Sequence, residues 1–234
     1  MAKNKTRSNP NIHKLWPVSI LTRRFSHYQA VNPALLKLFY EHRDLEQRAP
    51  SQAYASRDNL LEQYPINRDL QDLATFIRDG IFEISSDVNA PYWDKKAEIN
   101  IHLTGLWFQI SNGYAFHETH VHGNCSWSGV YYVQAGDATP SADALGKNGR
   151  PNGVTRFYGP HMEYMAGGHG DYGNFYIQDS SWDSYPQDGK LCVFPSHLKH
   201  MVYPYNGEKD RVIVSFHAQV HNAKGLEYKY SFGN

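Results

Sequence analysis

Two histidines separated by a single residue, His120 and His122, lie in the run Phe116-His-Glu-Thr-His-Val-His-Gly-Asn. In an extended strand alternate side chains share a face, so both imidazoles project together and can take one metal ion without bending the backbone. Neutral imidazole suits iron, copper, zinc and nickel alike, so the pair points to a metal without naming it. Glu118 belongs to the same face. His117 points the other way in this register and reads as structural, although a slip of one residue exchanges the two sets. A further histidine, His200, opens a strand after Phe194-Pro-Ser-His-Leu-Lys. Beyond it Arg211 starts the apolar strand Arg-Val-Ile-Val-Ser-Phe-His217. A guanidinium in such a strand needs a planar acceptor. That acceptor is either a protein carboxylate, such as Asp210 or Glu208, or the carboxylate of a bound diacid.

Five motifs follow one another along the chain: His120-Val-His122, Ser128-Gly-Val-Tyr-Tyr-Val133, Gly153-Val-Thr-Arg-Phe-Tyr-Gly-Pro160, Phe194-Pro-Ser-His-Leu-Lys-His200 and Arg211-Val-Ile-Val-Ser215. In this order they resemble the Fe(II)/2-oxoglutarate-dependent oxygenases, close to the prolyl-hydroxylase-like branch and to a group from bacteria and marine phages. The resemblance covers residues 97–220 or so; the helices before it are only generally similar. It implies a mainly β fold, a double-stranded β-helix with N-terminal helices packed on it. It also implies Fe(II) as cofactor, 2-oxoglutarate as cosubstrate, and oxidation of a substrate C–H bond with release of succinate and CO2. Carried over residue by residue, His120 becomes the first ligand and His200 the distal one. Arg211 would bind the outer carboxylate of 2-oxoglutarate with Tyr132 hydrogen-bonded to it, and Ser215 would line the same pocket.

One departure stands out. The family usually has Asp or Glu two residues after the first histidine, where this chain has His122. Three arrangements remain open: all three histidines bind, Glu118 supplies the carboxylate, or His122 stays unbound and leaves a position for halide as in related halogenases. Gln109, Asn124, Trp127 and His217 are candidates to line the substrate pocket, together with Trp107, although core packing is an ordinary role for the two tryptophans. His161, His169 and His197 read as loop residues.

These side chains need a scaffold. At 234 residues the chain suits one structural domain. Asn32 and Pro33 offer an N-cap and a first helical position. Leu35, Leu36, Phe39, Tyr40 and Leu45 follow at helical spacing, and a second amphipathic helix spans 68–85 with Leu70, Leu73, Ile77 and Ile81 on one face. After Asn89-Ala-Pro the pattern turns to short strands at 97–104, 106–111, 119–122, 127–134, 153–158, 174–178, 190–194, 200–204 and 211–219. Stretches 136–152 and 159–186 read as long loops able to shield a site. The expected layout is a disordered tail over 1–12, a helical layer over 13–96 and a β-helix core over 97–234.

Composition sets the outer bounds. Lys+Arg and Asp+Glu both count 23, which gives no basic excess for a nucleic-acid or membrane partner. Only Cys125 and Cys192 are present, read as free thiols of a cytoplasmic protein, and Cys125 as a small apolar residue rather than a nucleophile. The expected partner is a small-molecule or peptidyl substrate, and an oligomer is compatible with the sequence. Two rival readings remain: a cupin-type enzyme using three histidines without 2-oxoglutarate, and a non-enzymatic metal-binding β-barrel. Hydroxylation is the default outcome; halogenation, desaturation and cyclisation use the same oxidant. The substrate itself is not written in the sequence.

Overall fold

The computed structural model describes residues 18–46, 53–145, 149–159 and 180–223. The expected tail over 1–12, the strand at 174–178, His161, His169 and most of the 159–186 loop lie outside them. The elements in chain order are β1 (Leu21–Arg24), α1 (Tyr28–Leu45), β2 (Ala53–Ala55), α2 (Leu60–Gln63) and α3 (Arg68–Asn89). Eight strands follow: β3 (Ile99–Ser111), β4 (Ala115–His120), β5 (Trp127–Gln134), β6 (Thr155–Tyr158), β7 (Ser181–Ser184), β8 (Lys190–Pro195), β9 (His200–Tyr205) and β10 (Arg211–Asn222). They form two antiparallel sheets, β1-β8-β5-β10-β3-β2 and β4-β9-β6-β7. This is the double-stranded β-helix expected. None of the described helices is long and apolar enough to cross a membrane.

The larger sheet is buried on both faces, so its strands carry apolar residues almost continuously. On β5, Trp127, Tyr131 and Val133 join Val212, Val214 and Phe216 of β10 in the core beneath the helices. The alternate residues Val130, Tyr132 and Ile213 join Phe157, Phe194 and Leu198 in a second cluster. Helix α3 follows its period with Leu70, Leu73, Ile77, Ile81 and Ile84 buried, and it is capped by Asn67, whose side chain accepts from Leu70 N–H. It runs past the expected end at 85 to Asn89.

Helix α1 begins at Tyr28, so Asn32 and Pro33 lie inside it rather than at its start. Asn32 is instead a buried clamp: its amide donates to Val133 O at 2.6 Å and its carbonyl accepts from Tyr131 O–H at 2.6 Å. The expected strands at 97–104 and 106–111 are one strand, β3, with a bulge: His217 of β10 pairs with Gly105 but Ala218 with Leu103. The N-terminal stretch also contributes strands, since β1 and β2 form the two edges of the larger sheet. Gly129 of β5 has no room for a side chain: a Cβ there would lie 2.2 Å from Phe216 Cζ and 2.5 Å from the Cys192 carbonyl.

Candidate metal centre

His120 is the last residue of β4 and pairs directly with His200, the first of β9. The expected strand at 119–122 therefore stops short, and His122 lies two residues past it. Its backbone N–H donates to Ser196 O at 2.8 Å, which ties this segment to the turn before β9. One nitrogen of each of the three rings lies within 4.8 Å of the others, close enough for a single metal ion. The hydrogen bonds indicate which nitrogens are free. His120 Nδ1 donates to Glu118 O at 2.6 Å and His200 Nδ1 to Leu198 O at 2.9 Å. A carbonyl is acceptor-only, so both rings carry the proton on Nδ1 and present the Nε2 lone pair. His122 Nδ1 is likewise engaged, with His217 Nε2 at 3.0 Å.

Two of the imidazoles, His122 and His200, are held in the neutral form that a metal requires. His122 is pushed down to about 3, first by burial and then by its neighbours His200, His217 and His120. His200 is pushed down to about 4, again mainly by burial.

These rings line one end of a cavity of about 200 Å³ between the two sheets. Arg211 lines it too, at 1% exposure, with Nε and Nη2 bonded to nothing among the described residues. Asp210 does not serve it: its carboxylate accepts from Asn112 Nδ2 at 2.9 Å and from Tyr40 O–H at 3.1 Å, and Glu208 is exposed. The guanidinium carbon lies 5.3 Å from the centroid of the Tyr132 ring, whose hydroxyl meets Thr155 Oγ1 at 3.1 Å. A buried guanidinium with two unsatisfied nitrogens costs several kcal/mol unless an anion joins it. An unpartnered fork facing three convergent imidazoles fits a carboxylate ligand beside a metal. Residues 105–217 match the model of a family described as "Putative 2OG-Fe(II) oxygenase".

Over those residues, just under half of its length, the chain resembles the 2OG-Fe(II) oxygenases. Among solved structures, the chain is similar to the epimerase SnoN in complex with Fe3+, alpha ketoglutarate and nogalamycin RO: TM-score 0.56, 10% identity, covering 88% of this chain and 81% of that one. It is also similar to HygX from Streptomyces hygroscopicus with nickel and 2-oxoglutarate bound: TM-score 0.53, 12% identity, covering 91% and 86%. At these identities the likeness is one of fold. No curated protein matches the chain.

The structure places the other expected site residues unevenly. Gln109 and Ser215 line the cavity, as does Trp107. The side-chain oxygen of Gln109 is buried without a partner among the described residues. Tyr132 is fully buried behind Arg211, and burial raises its phenol pKa. His217 contacts the metal-site ring of His122 rather than the body of the cavity. Trp127 packs in the core beneath the helices, on the face opposite Tyr132. Asn124 is an exposed residue with φ 56°, and its carbonyl accepts from the Gln219 side chain. Glu118 is exposed and contributes its carbonyl, not its carboxylate, to the site. His197 is exposed in the turn before β9, and Cys125 donates to Ser196 Oγ at 3.0 Å.

His117 departs from the expected register. It lines the cavity and is pushed down to about 4 by burial, then by Arg211 and His120. Along the β4–β9 pair His117 faces Val202 and His120 faces His200, three steps on one strand against two on the other. The extra residue reverses the alternation, bringing His117 and His120 inward together and turning Glu118 out.

Proposed function

We propose that this chain is an Fe(II)- and 2-oxoglutarate-dependent dioxygenase that oxidises a C–H bond of an amino acid, a peptidyl residue or a small metabolite. In this reading His120, His122 and His200 hold the iron through Nε2, and Arg211 receives the outer carboxylate of 2-oxoglutarate. Iron and 2-oxoglutarate together supply the oxidising power, and the cosubstrate leaves as succinate and CO2.

The chain's own residues do the rest. The i−2 carbonyls behind His120 and His200 fix those rings and their tautomers before any metal arrives. Arg211 offers Nε–H and Nη2–H donors, free among the described residues, from a fixed fork, which orients a carboxylate as well as attracting it. Tyr132, anchored by Thr155, limits where the guanidinium can swing. Phe194, Val202 and Ile213 give the cavity apolar walls, which keep water from the reacting centre. The bound ligands named for HygX and SnoN agree with this pairing of a metal and 2-oxoglutarate.

The observation that carries the proposal is Arg211, buried beside the histidine cluster with two nitrogens unpaired among the described residues. The three-histidine set by itself would also suit a cupin-type enzyme that needs no 2-oxoglutarate, but that reading leaves the guanidinium without purpose. The test is succinate release with Fe(II) and 2-oxoglutarate across a panel of amino acids and peptides, alongside an Arg211→Ala variant. Two charged hydrogen bonds at about 1.5–3 kcal/mol each predict 2-oxoglutarate binding weaker by roughly 10²- to 10⁴-fold in that variant. Its Co(II) binding stays intact. Equal 2-oxoglutarate affinity in the two proteins would remove the role, and oxygen consumption indifferent to 2-oxoglutarate would favour the cupin-type alternative.

A further inference from the structure

We propose that His217 is a positioning residue for the metal site: its Nε2 accepts the Nδ1–H of His122 and so sets the tautomer that turns His122 Nε2 toward the ion. The inference rests on the metal-site reading above. A carboxylate at the second ligand position would need no such help, because either oxygen can bind. An imidazole there is different. It must carry its proton on one nitrogen and a lone pair on the other, and the wrong tautomer points N–H at the cation.

His120 and His200 solve this locally, each donating Nδ1–H to the carbonyl two residues before it. His122 has no such local partner. Its Nδ1 meets His217 Nε2 at 3.0 Å, from a residue 95 positions away on β10. The two ring centroids are 4.6 Å apart, tilted by 58°. For His122 to donate, His217 must leave Nε2 unprotonated and keep its own proton on Nδ1. Two neighbours hold that ring in place. Trp107 packs edge-on against it, with centroids 4.8 Å apart at 68°, and β10 pairs His217 with Gly105 and Ser128 on either side. The arrangement places an imidazole behind the third ligand, in the role that a carbonyl plays behind the other two. It accounts for how a chain without the customary carboxylate can present three equivalent Nε2 donors.

The test compares wild type, His217→Leu and His217→Gln. The Gln side-chain oxygen reaches the position of Nε2 and can accept from His122, whereas Leu fills the space without an acceptor. Calorimetric titration with Zn(II) is expected to show His217→Leu weakened about 10–100-fold, the range for loss of a partner behind a metal ligand. His217→Gln is expected to recover most of the affinity. Nitrogen-15 NMR of the Zn(II)-loaded wild type gives a readout that does not depend on any variant folding. It should place the His122 proton on Nδ1 and the His217 proton on Nδ1, with His217 Nε2 as acceptor. A His217 proton found on Nε2, unchanged Zn(II) affinity in His217→Leu, or equal weakening in the Leu and Gln variants would each overturn the assignment while leaving the metal site standing. A wild type that takes up neither Zn(II) nor Fe(II) would instead remove the metal reading, and this assignment with it.

Discussion

An imidazole in place of a carboxylate changes the charge at the ion. A divalent metal held by His120, His122 and His200 would keep both positive charges, because His122 brings none of the negative charge an Asp would bring. His117, pushed down to about 4, is neutral at pH 7 and adds nothing. Arg211 is then the cavity's one permanent charge among the lining residues. A metal dication and one guanidinium suit a dianionic cosubstrate, which is the balance expected if 2-oxoglutarate rather than a protein carboxylate supplies the negative charge. The ligand choice is testable residue by residue. Glu118 is exposed, with its carboxylate outside the cavity lining, so Glu118→Gln should leave Co(II) affinity within about twofold of wild type, as for surface changes generally. His122→Leu removes one of three donors and should weaken Co(II) by about 100-fold or more, well beyond the loss of a partner behind a ligand. Strong dependence on Glu118 in the titration would transfer the third position to the carboxylate.

At the scale of elements, the cavity depends on how the helices grip the larger sheet, and Asn32 is the clearest case. Replacing it with Leu would leave the Tyr131 hydroxyl and the Val133 carbonyl buried without their partner, at about 1–3 kcal/mol each. Asn32→Leu should therefore lower unfolding stability by roughly 2–6 kcal/mol in urea titration, at or above the upper end of a helix-cap change. A loss under about 1 kcal/mol would return Asn32 to the ordinary capping role that its position before Pro33 suggests. That contrast shows what the sequence could and could not convey. Alternation on β10 puts Arg211, Ser215 and His217 on one face, and the structure agrees, because β10 pairs with β3 without a shift from Arg211 to His217. The same parity on β5 separates Trp127 from Tyr132, so the two cannot share the cavity face. His117 was not legible in this way. Its inward turn comes from an extra residue in β4 relative to β9, and a mismatch between two strands some 80 residues apart leaves no mark on either strand alone. The role of Asn32 is hidden for a similar reason: its partners lie on β5, whereas capping chemistry is visible in the local sequence.

At the scale of the molecule, formal charges cancel at 23 of each sign, yet the cavity gathers histidines whose charged forms the folded state disfavours. His117 and His200 are pushed down to about 4, and His122 to about 3, each first by burial. In an unfolded chain each would titrate near 6.5. Between those values the unfolded state binds more protons than the folded one, so stability rises with pH across the window. The contribution is fully present above about 6.5 and is lost as pH falls through the folded-state values. The metal-free protein should therefore melt at progressively lower temperature from pH 7 to pH 4.5. Divalent metal should raise the melting temperature more at pH 7 than at pH 5, because a ligand that binds only the folded state adds stability and must compete with protons for the same nitrogens. Surface carboxylates also lose stability on acidification, so the slope has to be assigned. A His117→Gln variant removes one of the buried titrations without removing a proposed ligand, and it should flatten the melting-temperature profile between pH 7 and pH 5 relative to wild type. Parallel profiles for the two metal-free proteins would mean that His117 titrates alike in the folded and unfolded chains, and the inward turn of β4 at that residue would lose its physical support.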